Sequence, residues 1–391
     1  MAGIGKLTLG TLLAFVLVSA SPAGSEQNPV RATARNRLDI ARPSETLALR
    51  APELLRRLGL SDIRRVHIRE SDGGRELPAQ PVDSDGDGIA EELVFQADFG
   101  PHESKALELT AGSPVIFTRD QFRVYGRFNR ERFDDFAWEN DRLAHRMYGT
   151  ALETWEKEPL TSSAVDIWCK RVRRLVVNDW YMVDNYHVDS GEGADFYSAG
   201  KSRGCGGSGI WEDGRLWVSR NFTSSRVLAN GPVRLVFELT YAPWNVNGRP
   251  VSETKRVTLD AGWNLNRFES LYSGGAPPLA IAIGIKRSDG STEVHALGEG
   301  LLRTWEPVRR GESGYVGCGI VTDPASTVEY REAEGNYLVL ARTDDRGAVR
   351  YHAGFGWDRS GDFADEASWA SHLRQAALRF RSPIEINFNQ R

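Results

Sequence analysis

The segments Leu216-Trp217-Val218, Val233 to Tyr241, Val251 to Leu259 and Asn266 to Tyr272 follow one another along the chain. They are rich in valine, leucine and aromatic residues, and Pro243, Asn247-Gly248 and Asp260-Ala261-Gly262 supply the turns. Such a run reads as successive strands of an antiparallel meander. Further strands are predicted at Ala280 to Ile285, Gly314 to Ile320, Tyr337 to Ala341, Val349 to Phe355 and Ile384 to Phe388. No βαβ alternation and no internal repeat is visible, which argues against a parallel sheet and a propeller. One helix is predicted from about Ala364 to Phe380, with Asp362 as cap, Trp369, Leu373, Ala376, Ala377 and Phe380 on one face, and Pro383 beyond its end. Residues 117–391 are therefore expected to form one large antiparallel β domain of two broad stacked sheets, with the helix covering one of them.

Residues 37–116 show shorter apolar alternations, such as Val66-His67-Ile68 and Leu93-Val94-Phe95, separated by turn clusters such as Ser71-Asp72-Gly73-Gly74. This predicts a small β-sandwich with one short helix at Pro52 to Leu58. Ahead of it, residues 25–36 read as a disordered lead-in. Residues 1–24 read as an export signal, with Lys6, the apolar run Leu7 to Val18, and Ala20 or Ala23 at a small-residue cleavage site. No later run approaches the roughly 18 apolar residues of a membrane span, so a periplasmic or extracellular location is expected.

The formal net charge of −4, with scattered cations, argues against a nucleic-acid partner. Eleven Trp and eleven Tyr favour sugars, whose C–H faces stack on aromatic rings, although a large β core uses the same residues as filling. The three cysteines, Cys169, Cys205 and Cys318, lack zinc-site spacing; Cys205 and Cys318 each lie in Gly-Cys-Gly, where a bridge or two buried thiols are both consistent. The oligomeric state is not readable.

Two polar, aromatic segments carry the candidate chemistry. The first, Phe133 to Arg142, offers Asp135, Trp138, Glu139, Asn140 and Arg142 as substrate-binding residues. The second runs from Tyr186 to Tyr197 and on to Arg203-Gly204-Cys205-Gly206-Gly207. It offers His187, Asp189, Glu192 and Arg203 as catalytic residues and Tyr186, Asp195 and Tyr197 as substrate-binding ones. His352, at the glycine-rich end of a strand, joins the catalytic set, and Trp211 the binding set. His145 is expected to be packed rather than catalytic. Asp83, Asp85, Asp87 and Glu91 occupy loop positions 1, 3, 5 and 9 of an EF-hand-like calcium loop, with Val94 where the usual position-12 glutamate would stand. A structural Ca²⁺ is expected there; the other reading is a charged hairpin turn.

Arg132 to Arg142, Tyr186 to Tyr197, Arg203 to Gly207 and the acidic loop together resemble a family of exported bacterial proteins without assigned activity, encoded among glycan-degrading enzymes. The resemblance covers nearly the whole mature chain and implies carbohydrate processing or binding. Thr254 to Arg267 also looks like the central hairpin of galactose-mutarotase-like supersandwich folds. The large domain is thus expected to be a β-supersandwich, in an all-β chain with one C-terminal helix.

The expected function is an exported carbohydrate-active enzyme, a polysaccharide lyase or glycoside hydrolase acting on uronate-containing oligosaccharides. A lyase needs a base, an acid and a cation for the enolate; His187 or His352, Tyr186 or Tyr197, and Arg203 or Arg142 suit those roles. A hydrolase needs two carboxylates, for which Asp189, Glu192 and Asp195 stand opposite Asp134, Asp135 and Glu139. The alternatives are a non-catalytic glycan-binding protein and a sugar mutarotase or epimerase.

Overall fold

The computed structural model describes residues 29–157, 159–183, 186–308 and 313–389. The expected export signal at 1–24 lies outside them.

Val30–Arg35 is the first strand, although a disordered lead-in was expected there. Val30, Ala32 and Ala34 alternate into the core of the small sandwich, which fixes the segment as a half-buried strand. Its neighbours are Ser104–Ala111 on one side and Glu385–Phe388 on the other, both antiparallel. The last strand of the chain thus returns to complete the first sandwich, so the domain predicted over 117–391 gives up its C-terminal segment. A second sheet of three strands, Arg42–Arg50, Glu92–Phe99 and Ala79–Val82, closes this sandwich. Helix Ala51–Leu58 buries Leu54 and Leu58 against it and ends at Gly59, whose φ of 60° only glycine adopts without strain.

The rest of the chain builds an eight-stranded antiparallel sheet and two five-stranded sheets packed into one continuous core, with Phe237, Val257, Phe268, Ile283 and Tyr351 at its centre. Three of the four predicted meander strands form the middle of the large sheet, Arg234–Val246, Arg249–Asp260 and Leu265–Ser273 pairing in succession, whereas Arg215–Trp217 pairs with Cys205–Glu212 in a five-stranded sheet and Pro243, expected at a turn, lies within a strand where the register shifts. The whole is an all-β sandwich architecture with a C-terminal helix. That helix, Glu366–Arg381, is capped by Asp365, whose carboxylate accepts from Ser368 N. Asp362 instead pairs with Arg142 and Arg173. Trp369, Leu373, Ala376 and Ala377 bury against Leu265, Leu301 and Val321 of the large sheet. Burying a leucine of this kind stabilises by about 1.5–3 kcal/mol.

The two sandwiches share a contact of their own. Val82 and Val94 pack on Ala229, Val233 and Val236, and the Gln80 amide accepts from Val233 N and Arg234 N. Among the described residues no helix is long and apolar enough to cross a membrane.

Candidate functional site

Three short strands, Asp135–Asn140, Ala144–Met147 and Asp166–Lys170, lie side by side in one five-stranded sheet. Register sets Arg146 opposite Asp166 on one neighbour and Ala137 on the other. Side chains two apart on a strand share a face, so Asp135, Arg146, Tyr148 and Asp166 come together from four sequence positions. Arg146 is the hub. Its Nε donates to Asp166 Oδ2 at 2.8 Å, its Nη2 to Asp195 Oδ2 at 2.8 Å and its Nη1 to the Tyr186 hydroxyl at 3.0 Å. The Asp135 carboxylate stands 3.7 Å from the same guanidinium. Tyr148 donates to Asp166 at 2.9 Å and Tyr181 to Asp135 at 3.3 Å. His187 Nδ1 is 3.2 Å from the Asp195 carbonyl oxygen and 3.4 Å from its Oδ2.

These groups open into a cavity of about 840 Å³, also lined by Arg132, Phe133, Trp155 and Lys157. Phe133 and Trp155 stack with ring centroids 4.3 Å apart, and the Arg132 guanidinium sits 5.0 Å above the Tyr186 ring. Phe133 and Asp134 both hold left-handed backbone, at φ 56° and 65°. Gly149 lets this turn pass, because a Cβ there would come within 2.1 Å of the Asp134 carbonyl oxygen. Backbone strain of this kind is commonly kept at functional sites.

The electrostatics are uneven, with three carboxylates converging on one guanidinium. Burial pushes Asp135 up to about 7, with the Asp166 charge adding to the effect and Arg146 opposing it. The Asp135 carboxyl is therefore poised to hold or release a proton near neutrality. Its Oδ1 is buried without a hydrogen-bond partner. Burial also pushes Tyr148, Tyr181 and Tyr186 up, while the surrounding carboxylates keep Arg146 firmly charged. The arrangement can orient an imidazole, present a phenol and carry a proton on a carboxyl.

Of the residues singled out in the sequence, His187, Tyr186, Asp195, Tyr197 and Asp135 line this cavity. The others lie elsewhere. Asp189 pairs with Arg171 and accepts from Gly191 N and Gly193 N, so it shapes its own loop. Glu192 is held by Arg174 and the Trp180 indole. Arg203 is buried, donates to Ser163 Oγ and the Ser208 carbonyl, and is pushed down to about 10 by burial; it braces a glycine-rich turn and does not line this cavity. His352 lies in a separate cavity of about 290 Å³ shared with Arg267 and Phe380. It stacks on Phe380 at 3.5 Å, and burial pushes it down to about 3, leaving it a neutral packing group.

The first polar segment departs further from expectation, because Asp135–Asn140 is a fully buried strand and most of its proposed substrate-binding residues are packed away. Trp138 is core, its indole donating to Asn266 at 2.8 Å and its ring stacking on the equally buried His145. Glu139 accepts from Lys170 Nζ at 2.7 Å and from Val176 N and Val177 N, tying down the start of helix Val177–Met182. Asn140 donates to the Asp260 and Trp263 carbonyls, and Arg142 pairs with Asp362. Trp211 packs near Leu216 and Leu338 in the other five-stranded sheet. The three cysteines are all buried thiols; no bridge joins Cys205 to Cys318. Arg146, Tyr148, Asp166, Phe133 and Trp155 are the site residues that the sequence reading missed.

The acidic loop sits between strands Ala79–Val82 and Glu92–Phe99 of the small sandwich. Asp83, Asp85, Asp87 and Glu91 each offer an oxygen, and these lie within 4.8 Å of one another. Oxygens about 2.3–2.6 Å from a shared Ca²⁺ span about that distance, so this donor set fits a hard cation.

The chain belongs to the family described as "Domain of unknown function (DUF4861)", whose model matches residues 34–386. It is 30% identical over 368 residues to "Uncharacterized protein P7" of Formosa agariphila, covering 91% of this chain and 92% of that one. Among solved structures it is similar to a protein in glycosyl hydrolase family 38 from Enterococcus faecalis, with a TM-score of 0.53 and 10% identity. That match covers 93% of this chain but only 48% of the other, and it speaks to the fold.

Proposed function

We propose that this DUF4861 protein is an exported carbohydrate-active enzyme that cleaves uronate-containing oligosaccharides in the Arg146 cleft, by elimination. The observation that carries the reading is the connected chain His187–Asp195–Arg146–Tyr186, which ends in the cavity at both its imidazole and its phenol. His187, oriented by Asp195, removes the proton beside the uronate carboxyl. The Tyr186 hydroxyl protonates the departing glycosidic oxygen, and Arg132 and Lys157 at the rim face the substrate carboxylate. Phe133 and Trp155 supply a stacking platform. That the structural neighbour belongs to glycosyl hydrolase family 38 is consistent with a sugar ligand but does not choose the reaction.

Hydrolysis is the second reading, favoured by the Asp135 carboxyl poised near neutrality. Elimination is preferred because Asp135, Asp166 and Asp195 converge on one guanidinium, whereas hydrolysis needs two carboxylates facing each other across the bond. Incubation with a panel of acidic plant and algal glycans separates the two: new ultraviolet absorbance from unsaturated uronates reports elimination, and reducing ends without it report hydrolysis. Neither product, with binding retained, would leave a glycan-binding protein. The acidic loop is read as a structural Ca²⁺ site.

A further inference from the structure

We infer that a second cleft, separate from the Arg146 site, binds uncharged oligosaccharide. Its cavity is about 1010 Å³, at the upper end of ordinary ligand pockets, with room for several sugar rings. Phe122 and Tyr125, both partly exposed, give it aromatic faces, and Leu175 and Asn178 also line it.

The charged lining decides the ligand class. Four arginines, Arg119, Arg123, Arg173 and Arg174, are matched by Asp120, Glu139, Asp141 and Asp179. Most are already clamped in pairs: Arg123 Nε donates to Asp141 at 3.0 Å, Arg173 Nη2 to Asp362 at 2.7 Å, and Arg174 Nη2 to Glu192 at 2.5 Å. Glu139 is buried and neutralised by Lys170. An anion entering this cleft meets no net positive field, and to engage Arg123, Arg173 or Arg174 it would have to break an existing pair. A sugar hydroxyl both donates and accepts, so it can bond to the edges of an intact Arg–carboxylate pair, while the C–H face of the ring lies on Phe122 or Tyr125. The chemistry therefore selects a sugar chain without carboxylate or sulfate.

Helix Val177–Met182 separates the two clefts. Asn178 and Asp179 line the second, while the Tyr181 hydroxyl reaches Asp135 in the first. A glycan with both acidic and neutral stretches would thus meet two walls of different character. The choice of a sugar probe rests on the proposed function, but the test needs no turnover.

Isothermal titration of the full-length protein with cellohexaose, mannohexaose, xylohexaose and hexagalacturonate reads the affinity directly. At least one neutral hexasaccharide should bind. Phe122→Ala and Tyr125→Ala should each weaken it about tenfold, the upper range for one aromatic contact, and His187→Ala should leave it unchanged. Phe122→Leu, which keeps the apolar volume but loses the ring, should weaken binding with an unchanged melting curve, so a folding defect is told apart. The inference is overturned if no neutral hexasaccharide binds, if binding ignores both aromatic variants, or if hexagalacturonate depends on Phe122 as strongly as the neutral ligand does. Neutral binding that tracks Phe122 without cleavage of any acidic glycan would sustain this inference while sinking the elimination reading.

Discussion

Oδ2 of Asp195 lies 2.8 Å from Nη2 of Arg146 and shares that guanidinium with Asp166 and Asp135. One cation thus neutralises a cluster of buried carboxylates, and Arg146→Ala leaves them facing one another in low dielectric. Removing one member of a buried ion pair costs about 3–5 kcal/mol. An unfolding free energy lowered by that amount, read from urea unfolding as a lower midpoint, is expected. Arg146→Lys should recover part of it, since an ammonium keeps the charge but cannot span three partners in fixed directions.

Asp135 gives the fold a pH dependence of definite sign. Its carboxyl titrates near 3.8 when exposed and at about 7 when folded, so the native state holds the extra proton between those values. The stability it contributes is complete below about pH 4 and is lost as pH rises to about 7, by up to about 4 kcal/mol. Urea unfolding at several pH values across that window should show the decline, and Asp135→Asn should flatten it.

The strands of the large sheet were legible because alternation and turn residues are local. Arg234–Val246, Arg249–Asp260 and Leu265–Ser273 all fall on predicted segments. The site was only half legible, for a physical reason. Polar residues in Phe133 to Arg142 suggested substrate contacts, yet Glu139 and Asn140 are buried, with Lys170, the Val176 and Val177 amides and the Asp260 and Trp263 carbonyls as partners. Those partners are about 30 or more residues away, where local patterning carries no information. A usable signal did exist for Arg146: Arg146 and Tyr148 sit two apart, and on a strand that spacing puts both on one face. The return of Glu385–Phe388 to pair with Val30–Arg35 left no local trace at all.

Glu139 offers a contrast between structural and functional carboxylates. Glu139→Ala strands the Lys170 ammonium in the interior and uncaps helix Val177–Met182, so a loss of about 3–5 kcal/mol is expected. Glu192→Ala breaks a largely exposed pair with Arg174 and should cost about 1 kcal/mol or less. Thermal melts of the two variants side by side test the difference.

For the acidic loop, chelation should lower the melting temperature of the wild-type protein and leave cleavage in the Arg146 cleft intact. A bound ion stabilises by its occupancy of the folded state. Asp85→Ala should melt at the chelated temperature and respond no further to chelator. Identical melting curves with and without Ca²⁺ would mean that Asp83, Asp85, Asp87 and Glu91 form only a turn.

The central claim is that His187 acts as the base of the Arg146 cleft. Its side chain is 53% exposed, so His187→Ala should leave stability within about 1 kcal/mol. The decisive measurement is the rate of unsaturated uronate formation, followed by ultraviolet absorbance on an acidic glycan that the wild-type protein cleaves, with His187→Ala alongside. A fall of about a hundredfold or more, the usual worth of an oriented acid–base group, with the melting curve preserved, is the predicted result. Cleavage by His187→Ala at the wild-type rate would contradict it.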